Sequence, residues 1–390
     1  GSAGAVDLTS AGVSSAGYAV VSTGISAVTG SASSDTLTNT LGAASMTGLA
    51  GIDTFIATAG ALTITDLGVG GDSDIVTVAS GATVVATAAG AWSATSATHN
   101  LGGAVTNFII NVAGAHTVDL TSATVTTASA DGFTVTSTGT GLITGSSGAD
   151  VITGGDGADT IIGGSGNDYI KADSSGENDI DTVTGGAGND TFVFADAGEA
   201  DIFVEAGGGG TDTILVNGTL SLAGLSYGTT TGGAAANASL AQFEQLVVAT
   251  NATATVNSAQ VTGLPMALNA VGAGTAGLTV VASATDSPLD LSNFTIAAID
   301  YTNSAGATVN GVAFDGNDIV TLTGGSGANA ITGAATVRNI ITGGDGIDTI
   351  VLASGTNTIT DLGVTGDVDI VDLNGGTVIA TTTGAWTASS

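Results

Sequence analysis

Residues 145–153, 154–162 and 163–171 read GSSGADVIT, GGDGADTII and GGSGNDYIK. They are three consecutive nonapeptide units of the form G-G-x-G-x-D-x-U-x, in which U is large and apolar. The physics of this spacing is restrictive. The glycine–aspartate part makes a turn whose glycines adopt positive φ and whose carbonyls point inward. The x-U-x part makes a short strand with U buried. Two units complete one coil, so turns on the same side recur every second nonapeptide, as Asp150 and Asp168 do. In space they lie one strand spacing apart, about 4.8 Å.

Carboxylates and backbone carbonyls stacked in this way can share a hard, oxygen-ligated cation between coils. Calcium fits such a donor set, whereas zinc would want nitrogen or sulfur. The pattern is that of a parallel β-helix with calcium in its turns. The candidate ligands of the tandem block are Gly145, Ser147, Asp150, Gly154, Asp156, Asp159, Gly163, Ser165 and Asp168. Asp173, Asp179, Asp181, Gly185, Asp190 and Asp212 continue it with irregular spacing. A further copy holds Gly343, Asp345 and Asp348, with Asp318 upstream of it. An eroded copy ends at Asp53, and in another Asn329 stands where the ligand Asp belongs, which weakens that half-site. The U position stays apolar at Leu37, Phe55, Ile152, Ile161, Ile170, Phe192, Ile214, Ile331 and Ile350. Several ions are therefore expected.

A second kind of candidate site follows two of these turns. Asp66, Asp72 and Asp74 crowd into one short segment, as do Asp361, Asp367 and Asp369. Three carboxylates so close repel unless a cation sits among them. These triplets belong to a long internal repeat. Residues 63–76 read TITDLGVGGDSDIV and residues 358–371 read TITDLGVTGDVDIV, with Asp361 in the place of Asp66. The match runs on from 81–96 to 375–390, with Trp92 and Trp386 as equivalent packing residues. It divides the chain into related units over 1–100, 101–285 and 286–390, the middle one enlarged by the main turn block at 145–214. The chain reads as a slice of a tandem array.

Segments such as 83–87, 133–136 and 278–281 are short, β-branched and bounded by Gly, Asn or Ser, and read as strands. Strict apolar alternation is rare. Residues 237–246 are the one stretch expected to make a helical turn or two, leading into a strand at 246–248.

Composition excludes several function classes. Two Lys+Arg stand against 34 Asp+Glu, a net charge of −32. Nucleic acid and anionic membranes call for a basic face, which the chain lacks. There is no cysteine, so disulfide scaffolds and thiolate metal sites are excluded. No apolar run is long enough to insert into a bilayer. The only histidines, His99 and His116, sit beside no nucleophile elbow or metal-binding helix motif. His116 is expected on an exposed strand, and the chain is not expected to be an enzyme.

The nonapeptides resemble those of RTX proteins, which Gram-negative bacteria secrete by a one-step type I pathway. The resemblance implies an all-β fold, a right-handed parallel β-roll or β-helix solenoid in tandem repeat units, that forms when calcium binds outside the cell. The Asp-Leu-Gly…Gly-Asp-x-Asp-Ile segments are similar to those that close RTX blocks. The Ala-, Thr-, Gly-, Ser- and Val-rich remainder, with Phe243-Glu244-Gln245-Leu246-Val247-Val248, resembles RTX-type S-layer proteins. That implies an extracellular, cell-surface protein whose partner is itself, in a homopolymer or lattice, with cell-surface polysaccharide a further candidate. A stalk or ligand-binding segment of a large RTX adhesin is the alternative.

Overall fold

Strands that are next but one in sequence pair in parallel, and this makes the chain a β-solenoid. Thr36–Asn39 pairs with Thr54–Ala57, and Val151–Thr153 with Tyr169–Lys171, each partner lying two nonapeptide lengths further along the chain. A computed structural model describes residues 4–11, 17–24, 26–126, 132–173, 179–195, 201–204, 209–222, 226–228, 240–272, 274–282, 288–296, 300–305, 307–310, 312–315, 317–352, 354–363 and 368–382. It divides into two compact units. One comprises Gly1–Thr191, Asp201–Gly210 and Thr302–Thr308, the other Phe192–Ala200, Thr211–Tyr301 and Val309–Ser390.

In the first unit one sheet stacks Ala5–Asp7, Ala27–Thr29, Ala43–Thr47, Gly60–Leu67, Ala82–Ala88, Phe108–Val112, Thr134–Ser137, Val151–Thr153 and Tyr169–Lys171. A second stacks strands from Ala19–Ser22 to Thr124–Val125, and a third runs from Trp92–Ser93 to Ile202–Val204. In the second unit a sheet stacks Leu220–Ser221, Thr253–Asn257, Gly277–Val281, Ile319–Thr323, Arg338–Thr342, Thr356–Leu362 and Thr377–Thr382. Another stacks Leu289–Asp290, Ala330–Thr332, Thr349–Leu352 and Ile370–Leu373. The stacked pairings among the described residues are parallel, while Ala267–Ala270 pairs antiparallel with Val312–Ala313.

All the apolar U residues, from Leu37 to Ile350, are completely buried. They form columns in which each coil covers the last, which offsets the conformational cost of ordering a glycine-rich chain. Rings join the columns in places: Phe108 packs at 6.5 Å from Trp92 and 5.2 Å from Phe133. Burial alternates along the longer strands, and in Ala82–Ala88 every second residue is buried. Hydropathy hides this alternation because Thr, Ala and Val occupy both faces.

Two local expectations change. The helical turns expected at 237–246 are a tight turn, with Phe243 N–H donating to Leu240 O at 3.0 Å, followed by the strand Gln245–Val248; residues 237–239 lie outside the described residues. Competition from the coil stack decides this, since Leu246 must align with Ile214. The only α-helix among the described residues is Ser258–Val261, where Asn257 N–H donates to Gln260 Oε1 at 2.7 Å. His116 is half-buried just after a bend at Gly114 and Ala115, its N–H on Gly114 O at 3.0 Å, and the strand begins only at Val118. Trp92 is buried as expected, and Trp386 lies outside the described residues.

Candidate metal centre

The turns are built from two kinds of glycine. The second and third glycines of the best-formed turn, Gly164 and Gly166, have φ of +112° and +107°, where a side chain is strained. The first glycines, Gly145, Gly154 and Gly163, lack positive φ, contrary to the expectation for the whole turn. Their requirement is space. A Cβ on Gly163 would lie 2.4 Å from Asp168 Oδ2 and 2.6 Å from Gly185 O; one on Gly145 would lie 2.7 Å from Asp150 Oδ2.

The aspartates form ladders. Asp150 N–H donates to Asp168 Oδ1 at 2.7 Å, and Asp168 N–H to Asp190 Oδ1 at 2.9 Å. On the other edge Asp159 N–H donates to Asp181 Oδ1 at 2.7 Å, and Asp181 N–H to Asp201 Oδ1 at 2.9 Å. The eroded block repeats this, Asp35 N–H to Asp53 Oδ1 at 2.7 Å and Asp53 N–H to Asp74 Oδ1 at 2.8 Å. So does the last block, with Asn329 N–H to Asp348 Oδ1 at 2.8 Å and Asp348 N–H to Asp369 Oδ1 at 3.0 Å. In each ladder one carboxylate oxygen fixes the coil register.

The second oxygen is the chemically informative one. Oδ2 of Asp53, Asp168, Asp181 and Asp348 is buried and accepts no hydrogen bond, as is Oδ1 of Asp72. Leaving a buried charged oxygen without a partner is expensive. Burial accordingly pushes Asp53 and Asp181 up to about 8, Asp150 to about 7, and Asp74 and Asp348 to about 6. Burial likewise raises Asp168 well above the usual carboxylate range, and the charges of Asp150 and Asp190 add to it. Orphaned oxygens, an all-oxygen donor set and stacked negative charge fit a hard divalent cation such as calcium.

Other candidates occupy different environments. Asp212 and Asp318 are buried, and Ala276 N–H donates to Asp318 Oδ1 at 2.7 Å. Asp173 is buried and Asp179 half-buried. The side chains of Ser147, Asp156, Ser165 and Asp345 are exposed, while Gly145, Gly154, Gly163, Gly185 and Gly343 are buried. In the triplets, Asp66 accepts the N–H groups of Gly48 and Leu49 at 3.0 and 2.7 Å. Asp361 accepts those of Gly343 and Gly344 at 2.9 and 2.8 Å in the same way. These two carboxylates cap the turn one coil back. Asp72 accepts Gly51 N–H at 3.1 Å, and Oδ2 of Asp74 and Asp369 accept Gly68 and Gly363 N–H at 3.1 and 3.0 Å. Asp367 lies outside the described residues.

Three ladder members escaped the sequence reading. Asp35, Asp201 and Glu244 each precede a buried apolar residue by two, the same Asp-x-U spacing. Gly30-Ser31-Ala32-Ser33-Ser34-Asp35-Thr36-Leu37 is a turn without its later glycines, yet Ser31 N–H reaches Asp35 Oδ2 at 2.6 Å, as Ser146 N–H reaches Asp150 Oδ2. Glu244 Oε2 accepts Asp212 N–H at 2.8 Å in the ladder role.

A family model described as the RTX calcium-binding nonapeptide repeat (four copies) matches residues 135–170, 175–195 and 338–360. This chain carries RTX calcium-binding repeats. No curated protein and no solved structure matches it significantly. The RTX matches contain Asp150, Asp159, Asp168, Asp181, Asp190 and Asp348. The ladder at Asp35, Asp53 and Asp74 lies outside them but has the same hydrogen bonding. In the last RTX block, Asn329 Nδ2 donates to Asp348 Oδ1 at 3.3 Å, so a neutral amide stands beside that carboxylate. Asn329→Asp is expected to tighten calcium binding at this block by roughly ten-fold, through one more ligand charge. Isothermal titration of both chains checks this; unchanged binding contradicts the role of Asp348.

Proposed function

We propose that this chain is an extracellular structural protein, not an enzyme, whose RTX solenoid folds on calcium outside the cell and then assembles with copies of itself into an S-layer or surface filament. RTX repeat proteins are typically secreted, and no helix among the described residues is long and apolar enough to cross a membrane. Type I export from a Gram-negative bacterium suits a chain at −32, which resists compaction while calcium is scarce. Ions in the turns then cancel the Asp repulsion, and folding follows binding.

The observation that supports assembly is apolar residues on the outward faces of equivalent strands: Val85 is 38% accessible and its counterpart in the second copy, Ile379, 60%. Exposed apolar positions that recur along the stack offer another copy a surface to pack on. The RTX adhesin stalk is the second reading, favoured by the long internal repeat.

Negative-stain images and light scattering in calcium, with magnesium as control, test the proposal. Lattices or fibres that disappear in Ile379→Lys, with the β signal kept, are expected. Isolated rods that never grow overturn assembly and leave the stalk.

A further inference from the structure

We infer that Asp173, Asp181 and Asp201 form a calcium site that is tighter than the nonapeptide turns around it and fills before them. The inference deepens the calcium-dependent reading above and rests on it for the identity of the ion. One ligand oxygen from each of the three carboxylates lies within 4.8 Å of the others, and all three residues are buried, at 5%, 0% and 1% exposure. Oxygens bound to one calcium ion at roughly 2.3–2.6 Å are at most about 5 Å apart, so the three fit a single shell.

The extra carboxylate comes from a break in the repeat. Ala172-Asp173 stands where the preceding unit has Gly163-Gly164, so a carboxylate replaces a turn glycine. The step from coil to coil also lengthens on this edge. Gly141 and Asp159, joined across one coil, are 18 residues apart, whereas Asp159 and Asp181, joined across the next, are 22 residues apart. The matched family segments stop at 170, resume at 175 and end at 195, so Asp173 and Asp201 fall outside the consensus. Independent of the clustering, Asp181 Oδ2 is fully buried and accepts no hydrogen bond, although Oδ1 of the same residue is held in the ladder. A divalent ion would answer the orphaned Asp181 oxygen while binding the two neighbouring carboxylates. Calcium affinity rises with ligand charge and with site rigidity. Three buried carboxylates have more ligand charge than a site between two regular turns, to which each turn contributes one.

The test is native mass spectrometry of the full chain after brief exposure to increasing chelator. The wild-type chain is expected to keep one ion when the others have left, held at least about ten-fold more tightly. Asp173→Asn and Asp201→Asn lose that last ion and keep the others, whereas Asp168→Asn keeps it. A folded Asp173→Asn chain that still holds the last ion overturns the inference, as does a wild-type chain whose ions all leave in one step. Should Asp173→Asn not fold, Asp201→Asn carries the same test. Far-UV circular dichroism on the same samples separates the wider reading. A wild-type chain equally folded with and without calcium ends calcium-gated folding, and the ion count still decides this site.

Discussion

In chelator at pH 8 the chain is expected to lose its cooperative β signal, and at pH 5 to regain much of it without calcium. The sign follows from the buried ladder. Asp53 and Asp181 sit near 8 in the folded chain, Asp150 near 7, and Asp74 and Asp348 near 6, against an ordinary value of 3.8. The folded state therefore holds protons that the unfolded state has released. Stability of the ion-free fold is highest below the unfolded value and is lost as pH rises towards the folded ones. Several such groups act together, so the ion-free fold is expected to be less stable at pH 8 than at pH 5. Calcium reverses the dependence. It needs ionised carboxylates, so binding releases protons and weakens on acidification. Thermal unfolding at pH 5 and pH 8, with and without calcium, reads both trends. An ion-free chain as stable at pH 8 as at pH 5 would contradict the buried ladder.

Gly163→Ala is expected to cost roughly 1–3 kcal/mol, the range for overpacking a filled site, and to remove calcium binding at Asp168. The methyl group would press on Asp168 Oδ2 at 2.4 Å and on Gly185 O at 2.6 Å, and backbone on the second side leaves it little room to yield. The added carbon also occupies the space in front of the orphaned carboxylate oxygen. Gly81→Ala is the control for glycine replacement as such: its φ is +83° but nothing lies within 4 Å of the new methyl. It should lower stability through the backbone alone and leave the ion count unchanged. Equal ion loss in both variants, or in neither, would show that space at the first glycine does not matter for the site.

The nonapeptide period was enough to place the coils. A coil of two nonapeptides, an apolar column and an Asp two positions before each apolar residue all follow from Gly-Gly-x-Gly-x-Asp-x-U, because each coil must repeat its own geometry to stack. Leu37, Phe55, Ile152 and Ile350 were legible as core for that reason. Asp35, Asp201 and Glu244 were not legible as ladder members, because attention to glycines hides a carboxylate whose turn has lost them. The Asp-x-U spacing is what the backbone ladder needs, and it survives when the glycines erode. Ala, Leu, Gln and Glu favour helix locally over 237–246, but register against Thr213–Val216 requires a strand to start at Gln245, so Leu240–Phe243 is a turn.

Local sequence thus determined the class of fold, the calcium-binding character of the turns and the buried column, since each depends only on residues a few positions apart. Only the tertiary structure decided which carboxylate oxygens are left without a donor. It alone brought Asp173 beside Asp181 and Asp201. Those depend on what the neighbouring coil places opposite a side chain, and an insertion of a few residues between coils moves that partner without altering the local motif.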